Sequence, residues 1–181
     1  IRSERPEGKG LDGNVVLWCP QDFADGYIAE WEVQILGDDG LCIVFFAARG
    51  KGGLDIFDPS LEPRDGLFRQ YINGDIDCYH ISYYADSPWV PRRTTNLRKN
   101  NGFYLVASGP SGVLPGSKQV HHVTLVKDGA TIQLAVDGEK IIDFYDDGLS
   151  YGPLLKSGKI GFRQMQWTVA RYRNFRVYAL E

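Results

Sequence analysis

Residues 120–144, VHHVTLVKDGATIQLAVDGEKIIDF, read as three strands in a row. Apolar and polar residues interleave through Val120 to Lys127, Thr131 to Val136 and Lys140 to Phe144. Asp128-Gly129 and Asp137-Gly138 stand between them. Tight hairpin turns need positive φ, which Asp and Gly accept, so the stretch predicts an antiparallel meander. Downstream, Lys159 to Gln164 and Tyr172 to Leu180 supply two more strands, beyond a glycine- and proline-punctuated loop from Asp146 to Gly158. Upstream, Tyr27 to Leu36 alternates cleanly. Tyr27, Ala29, Trp31, Val33 and Ile35 point one way, and Glu30, Glu32 and Gln34 the other. Leu41 to Ala48 is an unbroken apolar run, short enough for a strand buried on both faces. Val15 to Cys19, Cys78 to Tyr84 and Gly102 to Ala107 complete the set.

No helical period, repeat or second domain interrupts this pattern. The fold expected is all-β, a two-sheet antiparallel jelly-roll sandwich spanning residues 15–181, with residues 1–14 as an arm or leading loop. The 21 glycines, nine prolines and 13% aromatics suit short strands and tight turns.

The 20 basic and 23 acidic residues leave a formal charge of −3, without a block of one sign. This excludes a nucleic-acid footprint and a polybasic membrane patch as partners. No apolar run approaches the roughly 18 residues of a membrane span. The one local excess, Arg92, Arg93, Arg98 and Lys99, reads either as a solvated basic loop or as a contact for one anion such as a uronate. Cys19, Cys42 and Cys78 have no close pair and no metal-like spacing, and Cys42 and Cys78 read as buried free thiols.

Several segments carry a family resemblance. They are Leu17-Trp18-Cys19-Pro20 with Phe23, Gly40-Leu41-Cys42-Ile43 leading into Phe45-Phe46-Ala47-Ala48, and Tyr79-His80-Ile81-Ser82-Tyr83. Further on come Asn96-Leu97-Arg98-Lys99 with Gly102-Phe103, Asp146-Asp147-Gly148 with Tyr151-Gly152-Pro153, and residues 158–165 followed by Tyr172, Asn174 and Phe175. Together they resemble a small bacterial family typified by the YesU proteins, within the concanavalin A-like lectin/glucanase superfamily. The resemblance implies a jelly-roll fold and a setting in bacterial use of plant or algal polysaccharide. It implies no particular reaction.

Chemistry is expected on the polar face of a curved sheet. With Tyr79, Ile81 and Tyr83 directed to the core, His80, Ser82 and Tyr84 face a groove, and a histidine beside a tyrosine can move protons near neutral pH. The set is similar to that of jelly-roll polysaccharide lyases, in which a His or Tyr takes the proton next to a uronate carboxylate that Arg, Gln or Asn neutralises. His80 and Tyr84 would be the acid–base pair. Arg98 and Arg163 would hold the carboxylate, with Asn96, Lys99 and Gln164 as further contacts. Strict alternation, however, puts Gln164 on the face of Ile160 and Phe162.

A second reading uses Glu30 and Glu32, which share a strand face and could flank a glycosidic bond. Gln34 stands where a third acid would be expected. A third reading is a non-catalytic carbohydrate-binding module built on the same groove. Trp89, in a proline-bounded loop, is the best aromatic platform for an oligosaccharide or polysaccharide ligand, and Trp31 belongs to the core.

His121 and His122 are neighbours on a strand and point to opposite faces, so they cannot share a metal. No catalytic metal or cofactor is expected. Asp38-Asp39 and Asp146-Asp147-Gly148 could hold a structural Ca2+ or serve as turn-forming residues. There is no Gly-x-Ser-x-Gly elbow, phosphate loop or dinucleotide fingerprint.

Overall fold

The computed structural model describes residues 1–2, 14–86 and 92–180. The strands in chain order are β1 (Val15–Trp18), β2 (Tyr27–Ile35), β3 (Gly40–Gly50), β4 (Ile76–Asp86), β5 (Thr94–Asn100) and β6 (Tyr104–Pro110). Then follow β7 (Val120–Asp128), β8 (Thr131–Val136), β9 (Glu139–Tyr145), β10 (Lys159–Gln164) and β11 (Ala170–Ala179). They form two antiparallel sheets, a six-stranded one in the order β1-β10-β3-β4-β5-β6 and a five-stranded one in the order β11-β2-β7-β8-β9. The expected jelly-roll sandwich is therefore the fold observed.

The expected meander is β7-β8-β9. Asp137 and Gly138 both take positive φ (52° and 82°) in its second turn. In the first turn Asp128 pairs with Thr131, which moves the turn one residue on, to Gly129 and Ala130.

The period-2 pattern of β2 buries Tyr27, Ala29, Trp31, Val33 and Ile35 between the sheets. Trp31 is fully enclosed there, its ring centroid 5.2 Å from Phe162 and 5.9 Å from Tyr83, and its indole N–H donates to the Tyr83 hydroxyl at 3.3 Å.

A second apolar cluster lies on the opposite, outer face of the six-stranded sheet. Residues 51–75 cross that face and carry the short helix α1 (Arg69–Ile72). Ile56 and Tyr71 pack on Ile43, Phe45, Ala48, Ile76 and Cys78, with Trp18 and Phe68 at the margin. This accounts for the apolar run in β3, which is covered on both faces. Trp18 lies over Gly161, where any Cβ would come within 2.5 Å of the indole. Glycine there makes room for the close approach of a ring.

β5 is a strand that the sequence reading did not assign. Its sequence, TTNLRKN, has a single large apolar residue, Leu97, which reaches the core. Cys19, Cys42 and Cys78 are free thiols, the last two buried as expected.

Candidate functional site

The outer face of β4 and β5 gathers most of the groups singled out for chemistry. In the antiparallel register His80 lies opposite Arg98, Ser82 opposite Asn96, and Cys78 opposite Asn100. Cys78, His80 and Ser82 of β4 and Asn96, Arg98 and Asn100 of β5 share this face, and Leu97 and Lys99 turn inward between them.

His80 is buried, with its ring stacked on Phe103 (5.7 Å between centroids) and edge-on to Phe45 and Phe68. Asn100 Nδ2 lies 2.9 Å from His80 Nδ1. Burial, and after it the positive charges of Arg98, Arg92 and Arg163, push the imidazole down to about 3. At neutral pH it is uncharged.

Three guanidinium groups surround this ring. Arg98 lies 4.0 Å over the Phe103 ring, and its Nη1 donates to the Phe103 carbonyl at 3.1 Å. Arg92 Nη2 donates to Ser82 Oγ at 2.6 Å. In the orientation that satisfies both ends of the Asn96 amide, its oxygen accepts from Arg92 Nη1 at 3.0 Å and its nitrogen donates to Ser108 Oγ at 2.9 Å. Arg163 is wholly buried between the face and residues 66–71. Its Nη2 donates to the Gly66 carbonyl at 2.8 Å, and the rings of Phe68 and Tyr71 lie 5.1 and 5.3 Å away. Burial lowers its guanidinium to about 10.

Among the described residues the arginines paired with carboxylates are Arg49 and Arg173, and none of the three around His80 has such a partner. Arg92 Nε, Arg163 Nε and Arg163 Nη1 are buried without an acceptor. Among the described residues, then, three cations gather around a neutral histidine with no carboxylate paired to any of them.

The structure thus brings together His80, Arg98, Arg163 and Asn96, and adds Arg92, Ser82, Phe68 and Phe103. Arg92 was legible as part of the local basic excess with Arg93, Arg98 and Lys99, although it lies just before β5 rather than on it. Phe68 comes from the crossing segment, which no periodicity flags.

Other expected members lie elsewhere. Tyr84 does not join His80. Cys42 pairs with Tyr84 and Ile43 with Ser82, so a bulge turns both Tyr83 and Tyr84 toward the inter-sheet core. Burial raises the Tyr84 phenol above its ordinary range, which unsuits it as a proton carrier. Lys99 faces inward, its ammonium 2.7 Å from the Asp146 carboxylate. Gln164 also points inward, donating to the Tyr172 hydroxyl, as alternation required.

Glu30, Glu32 and Gln34 lie on the five-stranded sheet, across the core from His80, and cannot share its ligand. Glu32 accepts from Asn174 and Arg173, whose hydrogen bonds hold it below the usual carboxylate range, so it is not poised as a proton donor. Gln34 Nε2 donates to the Lys118 carbonyl. Trp89 falls outside the described residues. If the site lies on the outer face of β4 and β5, Glu32→Gln should leave ligand affinity unchanged in titration calorimetry. A loss of affinity would return the site to the five-stranded sheet.

The aspartates offered for a cation are engaged by protein donors. Asp146 accepts from Lys99, Tyr79 and Gly148 N–H, and Asp147 from the Leu149 and Ser150 N–H groups. Asp38 pairs with Lys118.

Comparison with known proteins extends this picture. The family model of a domain of unknown function, DUF1961, matches residues 3–177. The chain belongs to the DUF1961 family. The uncharacterized protein YesU of Bacillus subtilis strain 168 is 42% identical over 172 residues, which cover 92% of this chain and 78% of that protein. A crystal structure of a Bacillus subtilis protein of unknown function with a galectin-like fold matches with a TM-score of 0.85 at 41% identity, covering 92% of this chain and 77% of that one. The carbohydrate binding module CBM66 from Bacillus subtilis matches with a TM-score of 0.60 at 13% identity, covering 93% and 83%. At that identity the likeness is one of fold. This DUF1961 chain is a galectin-like sandwich with an arginine-rich outer face.

Proposed function

We propose that this protein is a carbohydrate-active protein of bacterial polysaccharide utilisation that binds an acidic, uronate-containing oligosaccharide on the outer face of β4 and β5. The observation that carries the reading is the trio Arg92, Arg98 and Arg163, which face one another without a carboxylate among the described residues. Arg92 and Arg98 are half-buried and take the ligand's carboxylate, and the Phe103 ring beneath Arg98 packs against a pyranose face. Arg163, sealed under Phe68 and Tyr71, supplies long-range positive potential rather than contact. Lectin-like neighbours in fold, among them CBM66 and sheep galectin-11, are consistent with a sugar ligand.

Titration calorimetry with oligogalacturonates and neutral oligosaccharides of equal length tests this. Acidic chains are expected to bind and neutral ones to bind far more weakly. Arg98→Ala should cost about 1.5–3 kcal/mol of binding, roughly a 10- to 100-fold loss. Equal affinity for both sugar classes would overturn the assignment.

A catalytic form of the same reading, β-elimination with His80 taking the proton beside the bound carboxylate, draws on one further observation. Asn100 Oδ1 is buried without a partner. With that amide turned over, Oδ1 accepts the Nδ1 proton and leaves Nε2 free as a base. A bound carboxylate also offsets the arginine charges, which after burial are the second cause that holds the imidazole neutral. Elimination produces an unsaturated sugar with strong ultraviolet absorbance. Its appearance in wild type and absence in His80→Ala is the expected result. A flat trace alongside measurable binding reduces the function to binding.

A further inference from the structure

A separate constellation lies where the chain passes from β6 to β7, beside the β8–β9 turn. Leu114-Pro115-Gly116-Ser117 closes a β-turn in which the Ser117 N–H donates to the Leu114 carbonyl at 3.1 Å and Gly116 takes φ +80°. Proline followed by a positive-φ glycine is the signature of a type II turn, which presents its last residue in a fixed place. The next residue is pinned as well. The Lys118 carbonyl accepts from Gln34, and its ammonium donates to the Gly37 carbonyl.

Ser117 Oγ is thereby held 2.6 Å from His121 Nε2, and His121 Nδ1 lies 2.6 Å from Asp137 Oδ2. The other carboxylate oxygen of Asp137 accepts the His122 N–H at 2.8 Å. Those hydrogen bonds outweigh partial burial and keep Asp137 below the usual carboxylate range, hence ionised. The three side chains border a cleft of about 510 Å3 that Val136, Ile141, Gln119 and Glu139 also line.

We propose that Ser117, His121 and Asp137 form a nucleophile–base relay that hydrolyses O-acyl esters with a short acyl chain. Ser117 Oγ attacks the ester carbonyl carbon as His121 Nε2 takes its proton, and Asp137, a positioning residue, stabilises the imidazolium through Nδ1–H. The Gln119 amide supplies an N–H to the oxyanion. The tetrahedral adduct collapses with cleavage of the ester C–O bond, and His121 returns the proton to the departing alcohol. Water, deprotonated by His121, then attacks the acyl-serine and releases the carboxylic acid. Ser117 regains its proton, and no other reactant is consumed. The acyl chain sits on Val136 and Ile141, which limits its length. This activity is independent of sugar binding on the arginine face.

The test uses the full chain with p-nitrophenyl acetate as substrate and a fluorophosphonate as covalent probe. Wild type is expected to turn over the ester and to carry one probe adduct on Ser117 by mass spectrometry. Ser117→Ala should lose both, with kcat/KM down by about 100-fold or more. His121→Gln should also lose both. Asp137→Asn should lower kcat with KM and Tm retained, a split that a purely structural tie would not produce. Three results would overturn the proposal: turnover that survives Ser117→Ala, which would mean that imidazole acts alone; absence of the adduct from folded wild type; or an Asp137→Asn variant that loses Tm without losing kcat.

Discussion

Asp146→Ala is expected to destabilise the protein by about 3–5 kcal/mol, because it strands a buried cation. Lys99 is 3% exposed and Asp146 1%. The ammonium donates to Asp146 at 2.7 Å and to the Gly152 carbonyl at 2.8 Å, and Tyr79 donates its hydroxyl to the same carboxylate oxygen at 2.5 Å. Removal of the carboxylate leaves Lys99 with one carbonyl and Tyr79 with no acceptor, in a place that water does not reach. The paired replacement Lys99→Met with Asp146→Leu removes both charges together and should recover much of the loss, since desolvation of the intact pair already offsets most of its attraction. Urea unfolding of the three proteins decides the matter. A single-variant loss under about 1 kcal/mol would mean that the pair is solvated, contrary to its burial. Lys99 is on β5 and Asp146 follows β9, so the bond ties the two sheets together directly behind Arg98.

The second large effect is a dependence on acid carried by His80. Its folded value of about 3 lies below the ordinary histidine value near 6.5. Above pH 6.5 neither folded nor unfolded chain binds a proton there, and the contribution is nil. As pH falls below 6.5 the unfolded chain takes up a proton that the folded protein refuses, so stability declines by up to about 1.4 kcal/mol per pH unit. By pH 4.5 the loss is about 2–3 kcal/mol, and it continues toward pH 3. His80→Gln keeps a polar end group for Asn100 and cannot titrate. The difference in unfolding free energy between wild type and variant should therefore shift by that amount between pH 7 and 4.5. Parallel pH profiles would show that the imidazole is protonated within the fold.

How much of this was legible in the sequence depended on whether alternation was intact. Where strands ran undisturbed, as in β2, parity alone assigned the faces, and it also placed Gln164 inward. The same rule separates Arg98 from Lys99, adjacent residues whose shared charge suggested a shared role. It failed at Tyr84, because one bulge residue in β4 reverses parity beyond it, and nothing in Tyr83-Tyr84-Ala85 announces the bulge. β5 escaped notice because its outward face is polar rather than apolar: threonines, asparagines and arginine leave only Leu97 as a core marker. Arg163 was assigned the correct face, but its enclosure by Phe68 and Tyr71 depends on a long-range crossing. The Ser117–His121 contact needed the Pro115-Gly116 turn to fold back on β7, and Asp137 joins through strand pairing.

The connection that crosses the outer face also sets the order of assembly. β3 and β4 are sheet neighbours, yet about 25 residues separate Gly50 from Ile76. Closing a loop of that length costs about 2 kcal/mol more in chain entropy than closing a two-residue hairpin such as those of the β7–β9 meander. Local hairpins form within microseconds, and pairings across long separations wait for the contacts that repay their closure. The meander is thus the early nucleus. The face bearing His80, Arg98 and Arg163 matures late, after β3 and β4 have met and Phe68 and Tyr71 have settled over it. On refolding, the sandwich should therefore close before the crossing segment settles over the arginine-bearing face.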